Sequence, residues 1–183
     1  MGKPGKSSRP SALLSARWQD IDLTARLWHI PAADMKTKHP FTVPLSDWAV
    51  EILRELHTQT GDNIHLFPGI RPQRKPAPHP DHISIKFAHN AIRRLGYDGS
   101  TPGKSKHTMH GFRHPAGKDT ITTDLALGHI SRAALQRAGF SSLHHYLTAD
   151  SYRLQERHEL AEWYSRRHRQ AYEAAAQNTC NKT

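Results

Sequence analysis

The stretch RLWHIPAADMKTKHPFTVPLSDWAVEILRELHTQTG (26–61) decides the fold class. In RLWHIP (26–31) the residues Leu27, His29 and Pro31 alternate with Trp28 and Ile30, which is the two-residue period of a strand. KHPFTVPL (38–45) reads as its hairpin partner. Pro40 confines that second strand to an edge or to its own first residues, because proline has no N–H for a ladder. AADMKTK (32–38) forms the polar tip between the two, where a lysine can reach outwards. Ser46 and Asp47 then open a helix to about residue 60: Ala49, Ile52, Leu53 and Leu56 recur at three and four residues as a core face, and Gly61 stops it. A strand pair followed at once by a helix, in a chain whose other periodic segments are helical, predicts a mainly α fold with a small antiparallel β-sheet, α+β in class.

Working outward from this stretch, residues 9–18 place Leu13, Leu14 and Trp18 on helical spacing and read as a short helix. On the other side, Pro68, Pro72, Pro76, Pro78 and Pro80 make residues 68–81 an extended basic loop. A second helix is expected over 82–95, with Ile85, Ala88, Ala91, Ile92 and Leu95 inward, Arg93 or Arg94 outward, and Gly96 as its stop. GYDGSTPGKSK (96–106) is a loop that delivers the chain to HTMHGFRHPAG (107–117), where groups able to meet phosphate crowd together. Short helices are expected at 125–129 and 133–138 and another, capped by Ser141 and Ser142, from Leu143. The last long helix runs over about 152–176, with Leu154, Leu160, Ala161, Tyr164 and the basic run Arg166, Arg167 and Arg169. No internal repeat interrupts this order.

A length of 183 residues suits one domain, and 36% apolar residues give it a modest core. No window approaches the roughly 18 uninterrupted apolar residues of a membrane span. The opening MGKPGKSSRP (1–10) is basic but lacks the apolar stretch of a secretory signal, and the single Cys180 can form no internal disulfide; both point to the cytoplasm. Twenty-six Lys and Arg against 16 Asp and Glu give a net charge of +10, which calls for a polyanionic partner. Residues 65–118 concentrate this excess, with ten basic side chains against Asp81 and Asp98 alone. Of these, Arg71, Arg74, Lys75, Lys86, Arg93, Arg94, Lys104 and Lys106 are the candidate residues for binding that polyanion. His107, His110 and His114 have the spacing of metal ligands, but no Cys, Asp or Glu accompanies them and neighbouring arginines would repel a cation, so no metal site is expected.

Four segments in order, RPSALLSARWQDID (9–22), MKTKHPFTVPLS (35–46), HGFR (110–113) and LGH (127–129), followed by a tyrosine, resemble the catalytic domain of the tyrosine recombinases, specifically of prophage-type integrases. The likeness covers roughly residues 8–164 and is most specific at HGFR and at MKTK with VPLS. It implies DNA cleavage and rejoining without metal or cofactor, through a 3'-phosphotyrosine that stores the bond for resealing. By that resemblance Arg9 and Arg113 hold the phosphoryl oxygens with guanidinium forks, and Lys36 is the general acid for the leaving 5' oxygen, with Lys38 as the fallback. His110 takes the tyrosine proton or bonds a phosphoryl oxygen, and His129 completes the pocket. Tyr146, in LHHYLTADSY (143–152), is the favoured nucleophile over Tyr152.

The chain departs from the family pattern in three places. Ser11 and Ala12 stand where Gly-Glu commonly follows Arg-Pro, so a carboxylate that would buttress Arg9 is missing. Only sixteen residues separate Arg113 from His129, with Pro115 and Gly117 inside that interval, as if a helical segment were deleted. The first arginine falls close to Met1, so an N-terminal DNA-clamping domain is not expected in this chain. The expected layout is a basic disordered start (1–8), a catalytic domain (9–164) and a basic helical tail with a disordered end (165–183). Expected partners are double-stranded DNA and further integrase protomers, with no membrane and no small-molecule substrate. The alternatives are a non-catalytic DNA-binding remnant of a decayed integrase and a basic RNA-binding protein.

Overall fold

The computed structural model describes residues 9–35, 40–69, 81–109 and 154–180. Among them the elements are α1 (Arg9–Leu14), β1 (Ile21–Asp22), β2 (Leu27–Ile30), β3 (Phe41–Pro44), α2 (Asp47–Thr60), α3 (Ile85–Arg94) and α4 (Leu154–Cys180), with 3-10 turns at Trp18–Asp20 and Ala32–Asp34. The strands form one antiparallel sheet in the order β1-β2-β3, so helix predominates and the predicted fold class holds. β3 lies at a sheet edge, where prolines 40 and 44 cost no ladder bonds. The sequence pattern missed β1, because a strand of two residues is too short to display a period.

The chain divides into two compact units. The first comprises Met1–Ile21, Ile30–Pro40 and Leu56–His114. Here α1 is shorter than its pattern suggests: it ends at Leu14, and Trp18 sits instead on the 3-10 turn. Ala12, Leu14 and Ala16 are buried, and the backbone beyond them runs against residues 64–66. The Trp18 N–H donates to the Ile64 carbonyl (3.1 Å) and the Leu66 N–H to that of Ala16 (3.0 Å). Leu66, only 2% exposed, is the most deeply buried large side chain described. The Trp18 indole N–H donates to the Thr60 carbonyl (3.0 Å), and its ring meets the edge of His57. The turn that ends α2 is thereby tied to the turn that follows α1. Gly61 is required there, since a Cβ would come within 2.5 Å of the His57 carbonyl oxygen and against the His57 ring. α1 also contacts α3.

The second unit comprises Asp22–His29, Phe41–Glu55 and Pro115–Thr183. The Asp22 carboxylate accepts from the N–H groups of Thr24 (2.9 Å) and Ala25 (2.7 Å), which closes the turn between β1 and β2. Arg26 completes that turn at φ +57°, its carbonyl accepting from the Leu45 N–H (2.8 Å) and its guanidinium pairing with Asp47. Ser46 caps α2 as its sequence predicts, its hydroxyl accepting from the Ala49 N–H (3.2 Å). Val50 is buried on this helix and Ile52 is 47% exposed, which corrects the expectation that Ile52 belongs to the core. Ala49, Leu53 and Leu56 are half-buried, and Ile52 lies about 40–100° around the helix from these three residues. α4 packs against β3. At that contact Arg157, 3% exposed, donates to the Thr42 carbonyl and lies over the Phe41 ring at 4.7 Å.

Candidate functional site

α3 displays the describable part of the predicted DNA surface. Ser84 starts the helix, its hydroxyl accepting from the Phe87 N–H (3.2 Å), and Leu95 ends it with N–H bonds to the carbonyls of Ala91 and Arg93. At 100° per residue, Ile85, Ala88, His89 and Ile92 share one side, and all four are partly buried. Ala91 and Leu95, expected inward, are exposed, Leu95 at 64%; their angular positions fall just outside the buried arc. The exposed side carries Lys86, Asn90, Arg93 and Arg94, with Phe87 beside them. Both arginines therefore face outwards, and α3 contains no acidic residue. None of Lys86, Asn90, Arg93 or Arg94 has a side-chain hydrogen bond or ion pair to another described residue.

The loop after α3 is braced by its own glycines and lysines. Gly96 and Gly99 take φ of +86° and +90°, a left-handed backbone that a side chain would strain. The Lys104 ammonium donates to the Leu95 carbonyl at the end of α3 (2.8 Å) and lies 5.2 Å from the Tyr97 ring centroid. This lysine so completes the helix terminus, where a cation is favoured. Lys106 is exposed. Asp98, one of the two acids in this basic segment, is occupied locally: its carboxylate accepts from the Ser100 N–H (2.9 Å) and hydroxyl (2.8 Å). The Ser100 backbone bond, followed by the Ser100 hydroxyl, holds the Asp98 carboxyl below its usual range. The His107 N–H donates to the Tyr97 carbonyl (3.0 Å), which anchors the chain three residues ahead of His110.

Of the residues proposed for strand cleavage, Arg9 is the first residue of α1. Lys36, Lys38, His110, Arg113, His129, Tyr146 and Tyr152 lie outside the described residues, as do Arg71, Arg74 and Lys75 of the basic loop and the short helices expected between 125 and 143. Among the described residues no group of three His, Cys, Asp or Glu is arranged to hold a metal ion, and no helix is long and apolar enough to cross a membrane. Asn90 and Phe87 are the surface residues that the sequence reading passed over. Helical spacing from Lys86 was the available signal, since 86, 90, 93 and 94 are one stripe.

α4 is the closing element. It is helical from Leu154 to Cys180, four residues beyond the end its pattern predicts. His158, Glu162, Ser165, Arg166 and Arg169 recur along one side and, with Asp47, Trp48 and Glu51 of α2, line a groove of about 550 Å³. Glu162 accepts from the Asp47 N–H (2.7 Å) at the start of α2, and Arg169 pairs with Glu51 (3.0 Å) and Glu173 (2.9 Å). Hydrogen bonds to Glu173 first and Glu51 next push the Arg169 pKa above its ordinary value. Burial raises that of the Tyr164 phenol. Arg166 and Arg167 remain exposed, the latter 5.1 Å from the Trp163 ring centroid.

Comparison with known proteins supplies the frame for these elements. The model of the phage integrase family matches residues 6–151, most of the chain. The chain belongs to the phage integrase family. It is 31% identical over 139 residues to the prophage integrase IntA of Escherichia coli (strain K12), covering 72% of this chain and 30% of that protein. It is 30% identical over 177 residues to the integrase of Enterobacteria phage P4, covering 86% and 36% respectively. The chain thus spans about a third of the length of these integrases. A crystal structure of XerA recombinase superposes with a TM-score of 0.48 at 19% identity, over 78% of this chain and 51% of that one. The integrase match includes every residue from Arg9 to Tyr146 that the sequence assigns to strand cleavage.

Proposed function

We propose that this chain carries out site-specific DNA recombination, cutting and resealing duplex DNA through a 3'-phosphotyrosine. The supporting observation is the integrase family match over residues 6–151, which contains Arg9, Lys36, His110, Arg113, His129 and Tyr146 in the order of the motifs that carry the resemblance. Tyr146 attacks phosphorus and the P–O bond to the 5' oxygen breaks. Lys36 donates the proton that this oxygen needs, and His110 receives the one that the phenol loses. Arg9, Arg113 and His129 stabilise the charge on the phosphoryl oxygens. Reversal by a 5' hydroxyl of a second strand restores the phosphodiester, so bond energy is conserved. Because strands are exchanged between two sites, further protomers assemble on the DNA, each contributing one tyrosine. The basic stretch around α3, with Lys86, Arg93, Arg94 and Lys106 exposed, supports binding to the polyanion.

Covalency tests this reading. A duplex with a nick placed to trap the cut strand, incubated with the chain and run on a denaturing gel, is expected to give a protein–DNA adduct that Tyr146→Phe abolishes. Loss of the adduct in Tyr152→Phe, with Tyr146→Phe still active, moves the nucleophile to Tyr152. Retention of DNA with no adduct under any condition leaves a DNA-binding remnant and rejects the enzyme.

A further inference from the structure

We infer that His65 and His82 form a metal-binding site, which takes a divalent transition metal ion of the zinc, nickel and copper class and clips together the two stretches of chain that flank residues 70–80. The site stands apart from the strand-cleavage chemistry, in which this metal takes no part.

Backbone pairing brings the two histidines together. Residues 64–66 run against 16–18, which makes Arg17 the bridge partner of His65. A little further along, the Gly69 N–H donates to the Asp81 carbonyl (2.9 Å) and the Ile83 N–H to that of Phe67 (3.0 Å), so that His82 is bridged to Pro68. Two side chains far apart in sequence are thereby fixed on one stem, both half-buried, with ring centroids 5.2 Å apart and planes inclined at 64°.

The hydrogen bonds set the tautomer of each ring. The His65 Nδ1 faces the Ser15 carbonyl (3.0 Å) and the His82 Nδ1 faces the Ile83 carbonyl (2.9 Å). A carbonyl oxygen only accepts, so each neutral ring carries its proton on Nδ1 and presents a lone pair on Nε2. An imidazole whose Nδ1–H is held by a backbone carbonyl is oriented to ligate through Nε2. Neither Nε2 has a hydrogen-bond partner among the described residues.

The spacing matches a shared ion. With metal–nitrogen bonds of about 2.0–2.1 Å at a tetrahedral angle, two imidazoles bound through nitrogen have ring centroids roughly 5 Å apart. Each ring can turn about its metal–nitrogen bond, so their mutual tilt is left open. Among the described residues no third His, Cys, Asp or Glu joins the pair, and water completes the coordination of an open, exchangeable site. Imidazole donors select zinc, nickel and copper over magnesium and calcium. Arg17 is exposed, which leaves its charge screened by water, and the exposed Asp81 directly before His82 adds a compensating carboxylate. Bridging the two histidines closes the proline-rich basic segment at its base, where a metal clip removes loop-closure entropy from the open chain.

The test is nuclear magnetic resonance of the imidazole nitrogens in the full chain, titrated with Zn2+, since a readout at each ring separates this pair from the other histidines. The His65 and His82 Nε2 resonances are expected to move together with one dissociation constant, and Mg2+, which takes oxygen ligands, is expected to leave both unmoved. His65→Asn and His82→Asn each keep a side-chain N–H near the place of Nδ1 and remove Nε2. Each is expected to weaken the response of the remaining histidine by about tenfold or more. Circular dichroism checks that the variants keep their helices; if one does not, the other variant and the shared constant of the wild-type chain decide. Different dissociation constants at the two rings, a His82 response undiminished in folded His65→Asn, or no response to Zn2+ at either ring overturns the site and leaves the function proposed above untouched.

Discussion

Arg157 shows how one residue can hold an element in place. A guanidinium that is 3% exposed is costly to desolvate, and it persists because it donates to the Thr42 carbonyl and stacks over Phe41. Arg157→Ala removes both and leaves a buried carbonyl without that donor. Chemical denaturation should show a loss of about 1.5–3 kcal/mol, and Arg157→Lys should recover only part of it because a lysine has no planar face to stack. Leu66 is the apolar counterpart in the other unit, where Leu66→Ala should cost about 2–5 kcal/mol in the same measurement. Asp98 makes a pH prediction. Its folded pKa is depressed by the Ser100 bonds, so the turn is secured above the ordinary aspartate value of 3.8 and is released as pH falls through the lower folded value. The Ser100 amide resonance should therefore hold steady down to about pH 4 and titrate below it. A midpoint above 4 would remove the bond from the account.

At the level of elements, caps rather than propensity mark where the helices begin. Ser46 and Ser84 each accept an N–H bond three residues on. Ser84→Ala should cost about 1 kcal/mol and reduce amide-exchange protection in the first turn of α3. Gly61→Ala should destabilise the α2 terminus, because the added methyl collides with the His57 carbonyl and ring rather than with a movable chain end. The helical pattern gave the existence and type of α2, α3 and α4. It misplaced Ile52, Ala91 and Leu95, since a stripe of apolar residues is wider than the arc that a neighbouring element covers. Phe87 and Leu95 are accordingly left at the surface.

For the whole molecule the dominant quantity is charge. A net +10, with ten of 26 basic residues between 65 and 118, predicts binding to duplex DNA that falls steeply with salt. Replacing Lys86 and Arg94 together by alanine should lessen the slope of log K against log salt by about 0.9 for each phosphate contact removed. An unchanged slope would place the phosphate contacts elsewhere on the chain.

The sequence by itself determined the family, the fold class and the order of the candidate catalytic residues, because motif spacing, strand alternation and capping residues are local properties written along the chain. It also located the basic segment, since charge is additive. Only the tertiary structure decided which helical faces are covered, that a two-residue β1 joins the sheet, and that Arg157 is buried against β3 while Lys104 turns back onto α3. These depend on which elements pack together in space, and burial and side-chain pairing are set by neighbours that are distant in sequence.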